Sequence, residues 1–102
     1  MRLTDSEVKI ITETTQSIFG KTSIYLFGSR LDNTKKGGDI DLFLIPELTT
    51  NLLQKKIKVA SKLERLLYKP VDIVVHKDFS RPIEQEILQS NIQLHTTKQT
   101  QI

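Results

Sequence analysis

The spacing of apolar residues switches between helical and strand period along this chain, and that alternation restricts the fold more than any other feature. Thr4-Asp5-Ser6-Glu7 reads as a capping box, and the helix behind it turns Val8, Ile11, Thr15, Ile18 and Phe19 to one side until Gly20 stops it. Ser23 to Phe27 is a β-rich run ending at Gly28, followed by a polar loop holding Asp32, Asn33 and Gly37-Gly38. Asp39 to Ile45 is a second strand, halted by Pro46. Thr49 or Thr50 then opens a long helix to about Tyr68, with Leu52, Leu53, Ala60, Leu63, Leu66 and Leu67 as its buried stripe. Lys58, Lys62, Arg65 and Lys69 sit opposite, as a solvated face. Pro70 ends this helix, and Val71 to Val75 is a third strand, expected at the centre of the sheet because it is almost wholly apolar. Ser80 is expected to cap a short last helix carrying Ile83, Ile87 and Leu88, with Pro82 in its first turn. Ile92-Gln93-Leu94 fits a short edge strand. The expected fold is α/β (α+β), a small mixed sheet covered by helices in the order α-β-β-α-β-α(-β).

The chain has 102 residues, 37% hydrophobic and 26% charged, enough for one core and not for a second module. A single domain over residues 1–95 with a frayed polar tail over 96–102 is the expectation. Aromatics make up 6% with no tryptophan, which argues against a base-stacking platform, and no reading helix or strong basic patch suggests sequence-specific DNA binding. No apolar run approaches the length of a membrane span, and the first residues do not resemble a signal peptide. The absence of cysteine excludes a disulfide scaffold and thiolate zinc sites and fits a reducing cytosol, so a cytoplasmic location is expected. A net charge of +3 permits contact with RNA or an acidic protein without demanding it.

The chemistry is concentrated in three places. Gly28-Ser29-Arg30 directly follows a strand, Asp39-Ile40-Asp41 opens the next, and Asp72 is the one charge in a five-residue apolar run. Residues two apart on a strand share a face, so Asp39 and Asp41 point the same way with apolar neighbours around them. Two anions so placed repel and lose hydration unless a cation neutralises them. Magnesium suits the pair, because it takes one or two carboxylates and completes its shell with water and substrate phosphates. A third carboxylate at Asp72 would complete a two-metal clamp for in-line attack at phosphorus. Gly28 lets the backbone approach a ligand closely, the turn after it offers free amides to phosphate oxygens, and the Ser29 hydroxyl can donate one more bond.

Leu26-Phe27-Gly28-Ser29-Arg30, Gly38-Asp39-Ile40-Asp41-Leu42 and Val71-Asp72-Ile73-Val74 together resemble the polymerase-β-type nucleotidyltransferase superfamily. The short length is similar to the minimal nucleotidyltransferase (MNT) antitoxins that accompany HEPN-domain toxins. That resemblance implies an enzyme transferring AMP from ATP. Gly28 and Ser29, with Arg30 beside them, would bind the nucleotide through its β- and γ-phosphates. Asp39 and Asp41 would hold two Mg²⁺ ions, while Asp72 would hold the catalytic one and help deprotonate the acceptor hydroxyl. The implied acceptor is a tyrosine of a HEPN-type toxin, which also forms a complex with the antitoxin. Gly38 stands where such proteins often carry serine, a change that removes no metal ligand.

Two other functions remain compatible with the residues: an antitoxin acting by contact alone, and a small-molecule nucleotidyltransferase of the aminoglycoside-modifying type. The latter normally needs a helical domain for which 102 residues leave no room. Gly20-Lys21-Thr22 imitates the end of a P-loop, but the earlier glycine is missing and a strand follows in place of a helix. His76 and His95 lack metal spacing, and His76 reads as a solvated strand terminus. Lys35 and Lys36 read as mobile surface lysines.

Overall fold

The structure, a computed structural model, describes residues 3–31 and 38–96, with the backbone alone at Ser29 and Arg30. The expected polar loop at 32–37, with Asp32, Asn33, Lys35 and Lys36, and all of the expected tail except Thr96 lie outside the described residues. Helix α1 spans Asp5–Phe19, strand β1 Thr22–Phe27, a short 3-10 turn Gly28–Leu31 and strand β2 Ile40–Pro46. Helix α2 spans Leu52–Leu67, β3 Val71–Val75, α3 Pro82–Gln89 and β4 Ile92–His95. This is the mixed α/β order read from the periodicity, with the closing strand present.

The capping box forms as expected: Glu7 N–H donates to the Thr4 hydroxyl at 3.1 Å and Thr4 N–H to the Glu7 carboxylate at 3.0 Å. The helix that follows buries Ile11, Thr14, Thr15 and Phe19. Glu7 also pairs with Lys69, so that lysine joins α1 to the end of α2 and is not part of a solvated stripe.

The four strands lie in the order β3-β2-β1-β4, with β1 antiparallel to both neighbours and β2 parallel to β3. The third strand is therefore at an edge and not in the centre. Its apolar run has another cause. Val71, Ile73 and Val75 are buried on the face under α2, while Asp72 and Val74 occupy the other face. The strand buried on both faces is β2, where Phe43 joins Leu42 and Leu44 below 2% exposure. The main core lies between the helices and one sheet face, where Ile11, Phe19, Val59 and Leu63 meet Ile24, Leu26, Ile40 and Leu42.

Helix α2 starts later than the threonines suggest, with Asn51 in the left-handed region at its N-cap and no side-chain cap. Its buried residues are Val59, Leu63 and Leu67, with Leu52 and Ala60 packed beside them. Leu53 and Leu66 belong to the expected stripe but are 64% and 46% exposed. At about 100° per residue they fall on the two flanks of the Val59-Leu63-Leu67 line, outside the arc that a single sheet covers.

Helix α3 also differs from expectation. Ser80 does not cap it, because Asp78 draws both the Ser80 amide and hydroxyl into a local turn, leaving Arg81 at the N-cap ahead of Pro82. Only Ile87 of its three expected apolar contacts is buried, Ile83 and Leu88 being largely exposed, and the other buried position belongs to Glu84. Leu88 shares a small cavity with Tyr25, Phe43 and Phe79, which puts α3 against the sheet face opposite α1 and α2.

Candidate active site

Strand pairing brings the three motifs to one end of the sheet. Asp41 is the register partner of Phe27 on β1 and of Asp72 on β3. Adjacent strands are about 4.8 Å apart, so the residue before the glycine turn, Asp41 and Asp72 form a lateral row. Asp41 lies between the fully buried Ile40 and Leu42, so its side chain emerges on the face away from α1 and α2. Asp39 precedes β2 by one residue and is half-buried.

Gly28 closes the row on the β1 side. Its φ of 80° is in the region that disfavours side chains, and a Cβ there would stand 2.3 Å from Asp41 Oδ2. The turn is thus packed directly on the carboxylate. Its first amides lack helical partners, as at any helix start, and are available to an anion. The structure brings the backbone of Ser29 and Arg30 to this turn and describes nothing of their side chains.

The electrostatics follow from the crowding. Burial holds the Asp41 carboxyl above its ordinary range, and the charges of Asp72 and Asp39 push it further the same way. A hydrogen bond with Asp39 raises Asp72 most, with burial and the charges of Asp39 and Glu64 adding to it while Lys56 opposes. Among the described residues, no three acidic or histidine side chains already stand as a closed metal cage. The donor set nevertheless fits a divalent cation: it is all carboxylate oxygen, crowded and under-neutralised, and a hard cation would relieve the repulsion.

Lys56 and Glu64 were not evident from the sequence. Both sit on α2 beside Asp72, and Glu64 accepts the Val71 amide at 2.9 Å. On a helix wheel they read as ordinary exposed charges; only the return of β3 alongside α2 gives them a role. His76 is also unlike the expected solvated terminus. It is half-buried, bonded through Nδ1 to Glu84 at 2.6 Å and stacked on Phe79 with centroids 4.1 Å apart. Glu84 has no exposed surface and also accepts from the amides of Lys77 and Asp78 and from Arg81. Burial alone would raise its carboxyl, but these donors lower it to about 2. The cluster holds α3 to the end of β3, away from the three aspartates.

Sequence comparison agrees with this geometry. The family model Polymerase beta, Nucleotidyltransferase matches residues 9–100, and the chain belongs to that family. Toxin–antitoxin complexes are among its solved neighbours. A complex with AMP-PNP is 27% identical, with a TM-score of 0.76 over 89% of this chain and 74% of that one. The tri-AMPylated HEPN toxin of Shewanella oneidensis in complex with its MNT antitoxin is 26% identical, with a TM-score of 0.71 over 90% and 71%. A mutant complex of the same toxin–antitoxin kind is 25% identical, with a TM-score of 0.76 over 89% and 74%. No curated protein matches the sequence. Among the described residues, no helix is long and apolar enough to cross a membrane.

Proposed function

We propose that this chain is an MNT-type antitoxin that transfers AMP from ATP to a hydroxyl of a HEPN-type partner, most simply a tyrosine. The observation that carries the reading is the position of Asp41, with the Gly28 turn packed on one side and Asp72 on the other. Phosphate-binding amides, paired carboxylates and a further carboxylate are thereby aligned across three neighbouring strands. The structures of AMP-PNP-bound and AMPylated complexes among the chain's neighbours support the nucleotide and the class of acceptor.

In this reading Gly28, Ser29 and Arg30 bind the β- and γ-phosphates of ATP, the turn through its backbone amides. Asp39, Asp41 and Asp72 hold Mg²⁺, two ions when ATP is bound, which would supply charge neutralisation at the phosphates. Asp72 stands on the open side of the row, where an acceptor hydroxyl can reach it, and takes the hydroxyl proton. The hydroxyl oxygen bonds to the α-phosphorus, the bond from that phosphorus to the bridging oxygen breaks, and pyrophosphate leaves with the electron pair. The protein's part is alignment of the two oxygens across phosphorus, which supplies much of the rate in reactions of this kind. Residues 1–95 act as one domain.

Mass spectrometry of the partner after incubation with ATP and Mg²⁺ tests the proposal. Wild type is expected to add AMP units to it. The Asp39→Asn/Asp41→Asn double variant is expected to bind the partner and leave its mass unchanged. A partner that is inhibited by wild type without gaining mass would make this chain a contact-only antitoxin.

A further inference from the structure

The strand carrying Asp72 is at the sheet edge, and a groove runs along it. One part, of about 550 Å³, is lined by Asp72, Lys56, Ile57 and Glu64 among others. A second part, of about 450 Å³, continues past Leu53, Ile73, Lys77 and Arg81. Leu53 and Ile57 rise on the α2 side and are 64% and 60% exposed, although both are large and apolar. Neither belongs to the core beneath the sheet.

The backbone of this edge is partly closed. Pro70 C=O accepts from Ile40 and the His76 amide donates to Leu44, so even-numbered residues of β3 bond to β2 and odd-numbered ones face away. At one end Glu64 takes the outward amide of Val71, and at the other Arg81 donates to the outward carbonyl of Val75 at 3.3 Å. Between them the amide and carbonyl of Ile73 face the groove, flanked by the carbonyl of Val71 and the amide of Val75. That leaves one residue able to exchange a pair of bonds with a passing chain, enough to fix its register but too little to extend the sheet over its length.

We propose that this groove between β3 and α2 seats an extended segment of the acceptor protein, fixed on Leu53, Ile57 and the Ile73 backbone, so that its hydroxyl arrives at Asp72. The proposal rests on the adenylyl-transfer reading and adds to it the surface that recognises the acceptor. Continuity is the first argument, since the groove wall ends in the carboxylate the hydroxyl must reach. Charge is the second. The first part of the groove carries Asp72 and Glu64 beside Lys56, whereas the second is lined by Lys56, Lys77 and Arg81, so the segment offers apolar side chains to the floor and acidic groups to that second part. A second copy of this chain is a poor occupant of the cationic part, where a two-fold contact would set Lys56, Lys77 and Arg81 against the same residues. Strand pairing plus side-chain pockets is a common way of holding an extended peptide, and a few exposed apolar anchors dominate such contacts.

The test uses Leu53→Asp/Ile57→Asp beside a control, Lys62→Glu/Arg65→Glu, elsewhere on the exposed surface of α2. Three quantities are read: the ATP- and Mg²⁺-dependent rise in melting temperature, co-purification with the co-expressed HEPN-type partner, and the partner's mass. The groove variant is expected to keep the thermal shift while losing at least ten-fold in partner binding and in AMP transfer, and the control to keep all three. A groove variant that binds and modifies the partner like wild type overturns the proposal, as does a wild-type chain that fails to bind it. A dimeric wild type made monomeric by the variant overturns it in favour of a second copy. If binding depends on the groove but wild type adds no mass, the docking surface stands and the adenylyl-transfer reading fails.

Discussion

Asp41→Asn should make the metal-free protein more stable, which is unusual for a change at a half-buried, well-packed position. Asparagine keeps the size of the side chain and removes a charge that faces Asp72 directly across two strands and Asp39 two residues away. Two unit charges 4 Å apart repel by about 4 kcal/mol at an effective dielectric of 20 and by about 1 in water. Asp72 is exposed, so the lower figure applies, and a gain of about 1 kcal/mol corresponds to a melting temperature higher by roughly 4–8 °C for a domain of this size. The pH dependence fixes the sign. The Asp41 carboxyl is raised above its ordinary value of 3.8 on folding, so its charge opposes folding above the raised pKa. That opposition disappears as pH falls below 3.8, where the carboxyl is protonated in both states. Thermal melts in EDTA should therefore show the variant ahead of wild type at pH 7 and the gap closing toward pH 3.5. Adding Mg²⁺ and ATP should reverse the order, because only wild type gains. A variant less stable than wild type at pH 7 in EDTA, or a gap that ignores pH, would refute the electrostatic account.

Two further perturbations test neighbouring features. Gly28→Ala forces a side chain into a backbone with φ of 80° and against Asp41, so it should cost roughly 1–3 kcal/mol in urea denaturation and abolish the ATP-dependent thermal shift. Glu84→Gln should cost about 1.5–3 kcal/mol at pH 7, because a neutral amide gives up the charge assistance in the bonds from Arg81 and from the Lys77 and Asp78 amides. Wild-type Glu84, with its carboxyl at about 2 against an ordinary 4.5, contributes stability above 4.5 that is lost as pH falls toward 2. Urea midpoints between pH 7 and pH 3 should fall less steeply in the variant; equal slopes would remove Glu84 from the account of acid sensitivity.

The elements that could be read from the chain were those with local causes. Thr4 and Glu7 cap α1 within four residues of sequence, and Gly28 and Pro46 end their strands where the chain itself demands it. The grouping of the carboxylates was legible because charge in an apolar strand is costly, so Asp41 and Asp72 stood out from their neighbours before any pairing was known. What escaped reading depended on who lies beside whom. An apolar strand covered on one face at an edge looks the same as one covered on both faces, so β3 was expected in the centre. Leu53 and Leu66 count as stripe residues by spacing, yet the sheet under α2 is too narrow to cover them. Nothing in the sequence singles out Glu84 in the short last helix, and its buried setting arises because the loop after β3 turns its amides inward.

Glu64 acts on two properties at once. Its carboxylate occupies the outward amide at the start of β3, and its charge raises the pKa of Asp72 one residue on, disfavouring ionisation there. Shielding of the exposed edge and the protonation of Asp72 therefore meet in one side chain. An apolar side chain at this position would unblock the strand and ease ionisation of Asp72 in the same step, whereas glutamine would keep an acceptor for the Val71 amide and remove only the charge. A shorter acid would keep the charge while losing its reach to the amide. The position is thus under two constraints that share one solution, a carboxylate at glutamate length, although in sequence it is one charged residue among many on a helix surface.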